Sequence, residues 1–238
     1  RAHRGPAAMT AAMTAPMTPA MTSPTTGRAG LEVLWLQSGG CGGCSMSLLN
    51  ADTGDFLRTL QGLGVHLRWH PALSAGDDFL DTLTAIADGR RTVDVLAVEG
   101  ALLRGPNGTG RFHLLAGTDQ PMVNWVRMLA PQARHVVAVG SCAAWGGITA
   151  GGPNPTDACG LQFDDDQRGG LLGAGFRSRS GLPVVNVAGC PTHPGWVIDT
   201  LAALAAGQLA EDDLDAVGRP RFYADQLVHH GCTRNEYY

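Results

Sequence analysis

Five short, largely apolar segments recur along the chain from residue 31, and each has the length and composition of a strand buried on both faces. These segments cover residues 31–36, 65–69, 93–100, 135–141 and 182–189. Amphipathic segments with apolar residues at spacings of three and four alternate with them and predict helices. The helical segments cover residues 53–64, 76–89, 120–133 and 193–207. This alternation predicts an α/β fold with a flavodoxin-like parallel sheet and helices on both faces.

The composition of the 238-residue chain indicates a globular protein, because 44% of its residues are hydrophobic and 16% are charged. The formal charge is -4 and no long cluster of Lys and Arg occurs, so nucleic acid is not expected as a partner. No apolar run reaches the ~18 residues of a transmembrane helix. The N-terminus also lacks an apolar signal segment, and we therefore expect a cytoplasmic protein without a transmembrane segment.

Composition and periodicity divide the chain into three predicted segments. Residues 1–28 are rich in Ala, Thr and Pro, and their prolines interrupt any helix, which predicts a disordered tail. Residues 29–207 contain the strand and helix alternation and form the predicted flavodoxin-like domain. Residues 208–238 follow the last predicted helix and form the third segment.

Four of the six cysteines come directly after predicted strands. Cys41 and Cys44 follow the first strand, Cys142 follows the fourth, and Cys190 follows the fifth. The carboxyl ends of parallel strands meet at one edge of a sheet, and ligands bind outside that edge. The sequence therefore predicts that these four thiols converge on one site.

Four convergent thiolates suit a zinc ion or a 4Fe-4S cluster, whereas a thioredoxin-like redox pair needs only Cys41 and Cys44. Structural zinc sites usually combine two local pairs, but here Cys142 and Cys190 are single residues from distant loops. Glycines beside the cysteines would also let main-chain amides approach the sulfur atoms of a cluster. The pattern favours a cluster, with zinc and unconnected thiols as alternatives.

Five segments of the chain carry a family resemblance. In chain order they are "LWLQSGGCGGCSMSLLN", "VDVLAVEGALLRGPNGTGRF", "VVAVGSCAAWGGITAGGPNPTDACG", "VVNVAGCPTHPGW" and "RPRFYADQLVHHGCTRNEYY". From about residue 31 to the last residue, the chain resembles the small, electron-transferring subunit of nickel-iron hydrogenases. The resemblance implies that four cysteines ligate the proximal 4Fe-4S cluster, while the nickel-iron centre belongs to a separate large subunit. The implied ligands are Cys41, Cys44, Cys142 and Cys190.

The resemblance implies a subunit of an H2:acceptor oxidoreductase that relays single electrons to a redox acceptor protein or a quinone pathway. The segment "VHHGCTRNEYY" resembles the cytoplasmic uptake and sensory branches, so a subunit of a hydrogen sensor is the main alternative. A zinc-stabilised binding module is a third hypothesis. The expected location is the cytoplasm, or the inner face of the membrane through partners.

Two glycines and the cysteine spacing separate the chain from related cluster proteins. Gly43 and Gly147 fill positions where the oxygen-tolerant exported hydrogenases carry extra cysteines, so that kind of oxygen tolerance is not expected. The related complex I subunit carries adjacent cysteines, whereas Cys41 and Cys44 are three apart.

Three further residues have two interpretations each. Glu99 ends the third predicted strand, where it could serve interface hydrogen bonding or proton transfer, or be a carboxylate satisfied within its loop. Cys159 matches no ligand position of the family, which indicates a structural or free thiol. His193 precedes Pro194 and is expected to begin a helix or to support a ligand rather than to bind metal itself.

His229 and Cys232 match the first two ligands of the family's distal cluster, which takes one histidine and three cysteines. The other distal ligands and all medial ligands would lie downstream of Tyr238. The resemblance therefore implies that residues 208–238 begin a small C-terminal iron-sulfur domain. Distal and medial clusters are expected only if missing ligands are supplied. We expect a C-terminally truncated small subunit that stably holds one cluster, with poor packing from about residue 208 onward.

Overall fold

The computed structural model describes residues 30–74 and 78–226, and its α-helices and strands follow the alternation that the sequence predicts. The strands are β1 Leu31–Gln37, β2 Val65–Trp69, β3 Val93–Glu99, β4 Leu102–Leu103, β5 Ala133–Val139, β6 Ala158–Cys159, β7 Phe163–Asp164, β8 Gln167–Arg168 and β9 Val185–Val187. The α-helices are α1 Gly43–Leu49, α2 Phe56–Gly62, α3 Phe79–Ala87, α4 Met122–Leu129, α5 Gly140–Trp145, α6 Gly147–Ala150, α7 Pro194–Ala206 and α8 Arg221–Ala224. Short 3-10 helices cover Ala130–Gln132 and Glu211–Asp213.

The main sheet has five parallel strands in the order β2-β1-β3-β5-β9. This is the strand order of the flavodoxin-like doubly wound fold, and the predicted α/β class is confirmed. The chain moves from β1 to β2 on one side and then returns to place β3 on the other side of β1. The switch point between β1 and β3 is where such folds bind ligands.

Alternate side chains of the central strands enter two separate cores. Leu34 and Leu96 pack with residues of α3 and α4 on one face of the sheet. Trp35 and Val95 point to the other face, where they pack with residues of α7. Strands buried on both faces explain why the sequence shows continuous apolar runs rather than alternation.

Helices α2 and α7 each begin at a residue whose side chain accepts a hydrogen bond from the main chain of the helix. The side chain of Asp55 accepts a hydrogen bond from the main-chain nitrogen of Arg58 at the start of α2. His193 Nδ1 accepts one from the Gly195 nitrogen at 3.1 Å, and Pro194 is the first residue of α7. The predicted helix-start role of His193 is confirmed.

Short elements after β5 and β3 were not predicted. Helices α5 and α6 form in a glycine-rich segment that has too few residues for an apolar period, and β4 pairs with β6 over only two residues. The fifth predicted strand shortens to β9, since Pro183 has no amide hydrogen to donate to the sheet.

Residues 208–226 pack against the sheet, so the prediction of poor packing from residue 208 is wrong for this described part. Leu214 and Tyr223 are buried in the same core as α7. The Tyr223 hydroxyl donates to the Asn186 carbonyl at 2.7 Å and accepts from the Ala188 nitrogen at 3.2 Å. Apolar side chains and satisfied polar groups thus hold residues 208–226 against the sheet. The predicted tail 1–28, His229 and Cys232 lie outside the described residues.

Candidate cofactor site

The carboxyl edge of the sheet brings together the four cysteines that the sequence singles out. Cys41 and Cys44 follow β1, Cys142 lies in α5 directly after β5, and Cys190 follows β9. The Ser141 nitrogen, next to Cys142, donates to the Gly189 carbonyl, next to Cys190, at 2.9 Å. The Ser47 hydroxyl in α1 donates to the Thr192 carbonyl at 2.9 Å, which ties the segment of Cys44 to the segment of Cys190. The segments that carry the four cysteines therefore meet at one edge, although residues 41 and 190 are far apart in the chain.

Burial shapes the acidity of two of these thiols. Desolvation raises the pKa of Cys44 to about 11, with a smaller contribution from the carboxylate of Glu99 and the neighbouring cysteines. Desolvation also raises the pKa of Cys142 above its usual value, and Cys190 adds to that shift. Both thiols are thus protonated at neutral pH in the metal-free chain, and metal binding must displace their protons.

Glycines line three of the four sulfur atoms. The Gly43 nitrogen donates to Cys41 Sγ at 3.3 Å, and a Cβ atom on Gly43 would lie 3.1 Å from that sulfur. A Cβ atom on Gly147 would lie 2.9 Å from Cys142 Sγ, and one on Gly140 would overlap Cys44 Sγ. At Gly140 and Gly147, which also have a positive φ, only glycine fits with the thiols where they are, whereas a side chain at Gly43 would require a small shift of the Cys41 thiol. A set of four thiol donors with glycine-lined walls fits an iron-sulfur cluster.

Glu99 is buried at the end of β3 and accepts four hydrogen bonds. Its Oε1 atom accepts from the nitrogens of Cys44 and Ser45, each at 3.1 Å. Its Oε2 atom accepts from Trp35 Nε1 at 3.3 Å and from the Ser45 hydroxyl. Of the two interpretations, the structure shows a carboxylate satisfied within the chain. A role in interface bonding or proton transfer stays a prediction.

His70 extends this polar network and was not singled out by the sequence. Its Nε2 atom lies 3.2 Å from Ser45 Oγ, and its ring centroid lies 5.0 Å from that of Trp35. Desolvation lowers the pKa of His70 below its usual value, so the imidazole is neutral at pH 7. One signal could have found it, since His70 directly follows β2 at the same edge of the sheet as the cysteines.

Cys159 lies apart from this chemistry. It is fully buried in the core, where its Sγ atom donates to the Leu102 carbonyl at 3.7 Å, and desolvation raises its pKa to about 11. These surroundings agree with a structural thiol.

Over residues 30–74 and 78–226, no group of three or more His, Cys, Asp or Glu side chains is arranged to hold a single metal ion.

Two apolar side chains beside the cysteines face outward. Met46 follows Cys44 in α1 and is 59% exposed, while Ile148 in α6 is 85% exposed. Exposed apolar side chains that cluster at a functional edge are typical of an interaction surface.

In the described part of the chain, no helix is long and apolar enough to cross a membrane.

Comparison with known proteins assigns this site to a family. Residues 41–204, more than half of the chain, match the family described as NADH ubiquinone oxidoreductase, 20 Kd subunit. The periplasmic NiFeSe hydrogenase small subunit of Desulfomicrobium baculatum is 32% identical over 225 residues, which cover 87% of this chain and 67% of that protein. The chain belongs to the family of nickel-iron hydrogenase small subunits. The resemblance read from the sequence is confirmed.

Other members of the small-subunit family agree in sequence and fold. The F420 non-reducing hydrogenase I small subunit of Methanosarcina mazei is 32% identical over 231 residues, which cover 87% of this chain and 58% of that protein. The actinobacterial-type NiFe-hydrogenase from Ralstonia eutropha H16 superposes with a TM-score of 0.73 at 34% identity, covering 87% of this chain and 62% of that chain. The chain thus spans little more than half the length of the Methanosarcina mazei subunit.

Proposed function

We propose that this chain is the electron-transfer subunit of a nickel-iron hydrogenase and that it holds a 4Fe-4S cluster. The proposed ligands are Cys41, Cys44, Cys142 and Cys190. The observation that supports the proposal is the meeting, at the carboxyl edge of the sheet, of the three segments that carry these cysteines. Membership of the hydrogenase small-subunit family supports it.

The residues around the thiols bind and orient rather than react. A bound cluster supplies reversible one-electron transfer, which lets the chain relay electrons from H2 oxidation on a partner to an acceptor. The thiols of Cys44 and Cys142 give up their protons on binding. Gly140 and Gly147 have no side chain that would collide with the sulfur atoms of Cys44 and Cys142. Glu99 holds the main-chain amide of Cys44 in place through a hydrogen bond.

A large subunit that carries the nickel-iron centre is the proposed partner. The exposed side chains of Met46 and Ile148 beside the cysteines support a partner that covers this edge. An obligate interface of this kind buries more than roughly 2,000 Å². His229 and Cys232 stay a proposed partial site for a distal cluster, and residues 208–238 a proposed start of the domain that would contain it.

A subunit of a hydrogen-sensing complex is the second candidate, because the C-terminal segment "VHHGCTRNEYY" also resembles the sensory branch of the family. Hydrogen-dependent dye reduction at high turnover by the purified complex would support the electron-transfer enzyme. Feeble turnover together with binding to a signalling protein would support the sensor. The cytoplasmic location also stays a proposal, since one relative is named as periplasmic.

Iron and acid-labile sulfide analysis of the anaerobically purified protein tests the proposal. We expect about four iron atoms and four sulfides per chain, as one cluster requires. Cys142→Ala should lose most of this iron, whereas Cys159→Ala, a matched buried cysteine at the end of β6, should keep it. Zinc without iron and sulfide would refute the proposal in favour of a zinc-stabilised module. Eight to twelve irons, an estimate of about two or three clusters, would show that the distal and medial sites are filled as well.

A further inference from the structure

We propose that His70 is a positioning residue that sets the reduction potential of the cluster through Ser45 and Glu99. The inference rests on the proposed function, because it concerns the cluster that Cys44 would ligate. The His70 ring forms hydrogen bonds with Ser45 and with the Ala72 nitrogen, and it acts on the cluster site through Ser45 and Glu99.

The hydrogen bonds of His70 determine which nitrogen of its ring carries the hydrogen. The main-chain nitrogen of Ala72 donates to His70 Nδ1 at 3.1 Å, so Nδ1 is an acceptor and the ring hydrogen sits on Nε2. Nε2 then donates to Ser45 Oγ at 3.2 Å, and the Ser45 hydroxyl donates to Glu99 Oε2. This chain of donors ends on the carboxylate, and all three side chains are buried.

The carboxylate passes the effect on to the cysteine loop. Glu99 Oε1 accepts from the nitrogens of Cys44 and Ser45, and the negative charge of Glu99 acts on the Cys44 thiol. Each donor in a hydrogen-bonded chain polarises the next, so the His70 hydrogen bond strengthens the one from Ser45 to Glu99. This stabilises and partly neutralises the negative charge beside Cys44. Hydrogen bonds and local charge are the main protein controls on cluster potential.

Loss of the His70 donor should therefore shift the reduction potential of the cluster in one direction. Without it, the Ser45 hydroxyl is a weaker donor and the charge on Glu99 is less well compensated. A more negative surrounding disfavours the addition of an electron to the cluster. The reduction potential should fall.

A second buried histidine provides a matched control. His135 near the start of β5 is also buried, and its Nδ1 atom lies 3.1 Å from Ser180 Oγ. It lies near the amino end of its strand, whereas the cysteines follow the carboxyl ends of theirs. Replacement of either histidine removes a His-Ser hydrogen bond, which is buried at His70 and partly buried at His135, but His70 lies at the edge of the sheet that carries the cysteines and His135 at the opposite edge.

The test compares the cluster potential and the electron paramagnetic resonance spectrum of the reduced, anaerobically purified holoprotein among variants. We expect His70→Leu to lower the ratio of reduced to oxidised cluster at a fixed potential by at least about threefold, which is about 28 mV for a one-electron couple. His70→Gln keeps an N–H donor near Ser45 and should restore both the potential and the spectrum. His135→Leu should lose stability without moving either readout.

Ser45→Ala removes the link between His70 and Glu99 with little change in volume, and it keeps the test open if His70→Leu does not fold. It should lower the potential itself, and adding His70→Leu to it should change nothing further. An unchanged potential in His70→Leu or in Ser45→Ala with four irons still bound would overturn the inference alone. Equal shifts in His70→Leu and His135→Leu would do the same. A wild-type protein without iron and sulfide would instead refute the proposed function.

Discussion

The Oε1 atom of Glu99 lies 3.1 Å from the main-chain nitrogen of Cys44, although 55 residues separate the two in the chain. The contact crosses the switch point of the sheet, from the end of β3 to the first turn of α1, which follows β1. A buried carboxylate is stable here because it accepts hydrogen bonds from N–H and O–H groups of this turn and of Trp35. The loop that carries two of the cysteines is thereby tied to the centre of the sheet.

Glu99→Gln should destabilise the fold because the new amide group places N–H donors against donors. Both carboxylate oxygens accept hydrogen bonds, so neither position suits the side-chain nitrogen. We expect a loss of about 1–3 kcal/mol in the free energy of unfolding, measured by urea denaturation. Glu32→Gln is the control, since the Glu32 side chain forms an exposed ion pair with Arg91 and the change should alter stability by less than about 0.5 kcal/mol. Equal losses in both variants would contradict this account of Glu99.

Gly140→Ala should expel the cluster, whereas Gly181→Ala should not. Both glycines have a φ of +85°, so an alanine at either position incurs a similar backbone strain of about 1–2 kcal/mol. A Cβ atom on Gly140 would overlap Cys44 Sγ, but one on Gly181 would meet nothing within 4 Å. Iron content per chain and the urea midpoint separate the two effects. Retention of full iron by Gly140→Ala would show that the Cys44 thiol can move without loss of the site.

Tyr223→Phe should weaken the docking of residues 208–226 at neutral pH. The change leaves the Ala188 nitrogen and the Asn186 carbonyl without their shared hydroxyl partner, at a cost of about 1–3 kcal/mol. Urea denaturation at pH 7 measures the loss. If stability is unchanged, the hydroxyl contacts contribute nothing to the fold.

The same variant should respond differently to alkaline pH. Desolvation raises the pKa of Tyr223 to about 12, above the value of 10.0 expected in the unfolded chain. The stability that this proton contributes is fully present below pH 10 and is lost as the pH rises through about 12. Between those values the wild type should lose about 2 kcal/mol that Tyr223→Phe does not lose, so the stability gap should narrow. A gap that stays constant up to pH 12 would count against a buried, titrating Tyr223.

Ile148→Asp should weaken assembly with the proposed large subunit without unfolding the chain. The side chain is 85% exposed, so the change should alter the free energy of unfolding by less than about 0.5 kcal/mol. A charge in a buried interface should reduce affinity for the partner by about tenfold or more, measured by co-purification or titration. Leu57→Asp on α2, which packs against β2, is the control with an exposed apolar residue away from the cysteines. Unchanged assembly of Ile148→Asp would exclude this surface.

The sequence alone determined the class of the fold and the position of the four cysteines within it. Apolar runs such as 93–100 are typical of strands buried on both faces, and helical periods between them indicate a parallel sheet. In a parallel sheet every strand ends at the same edge, so the sequence placed Cys41, Cys142 and Cys190 at one edge, and the order of the strands then decided how close they lie.

Tertiary structure decided the order of the strands and everything that depends on it. Only the placement of β3 beside β1 brings Glu99 to Cys44, and only the end of β2 beside the first turn of α1 brings His70 to Ser45. The docking of Tyr223 against Asn186 was likewise invisible in a short segment without an apolar period. Local periodicity records which face a side chain takes, whereas the choice of neighbours comes from packing and hydrogen bonding between segments that are distant in the chain.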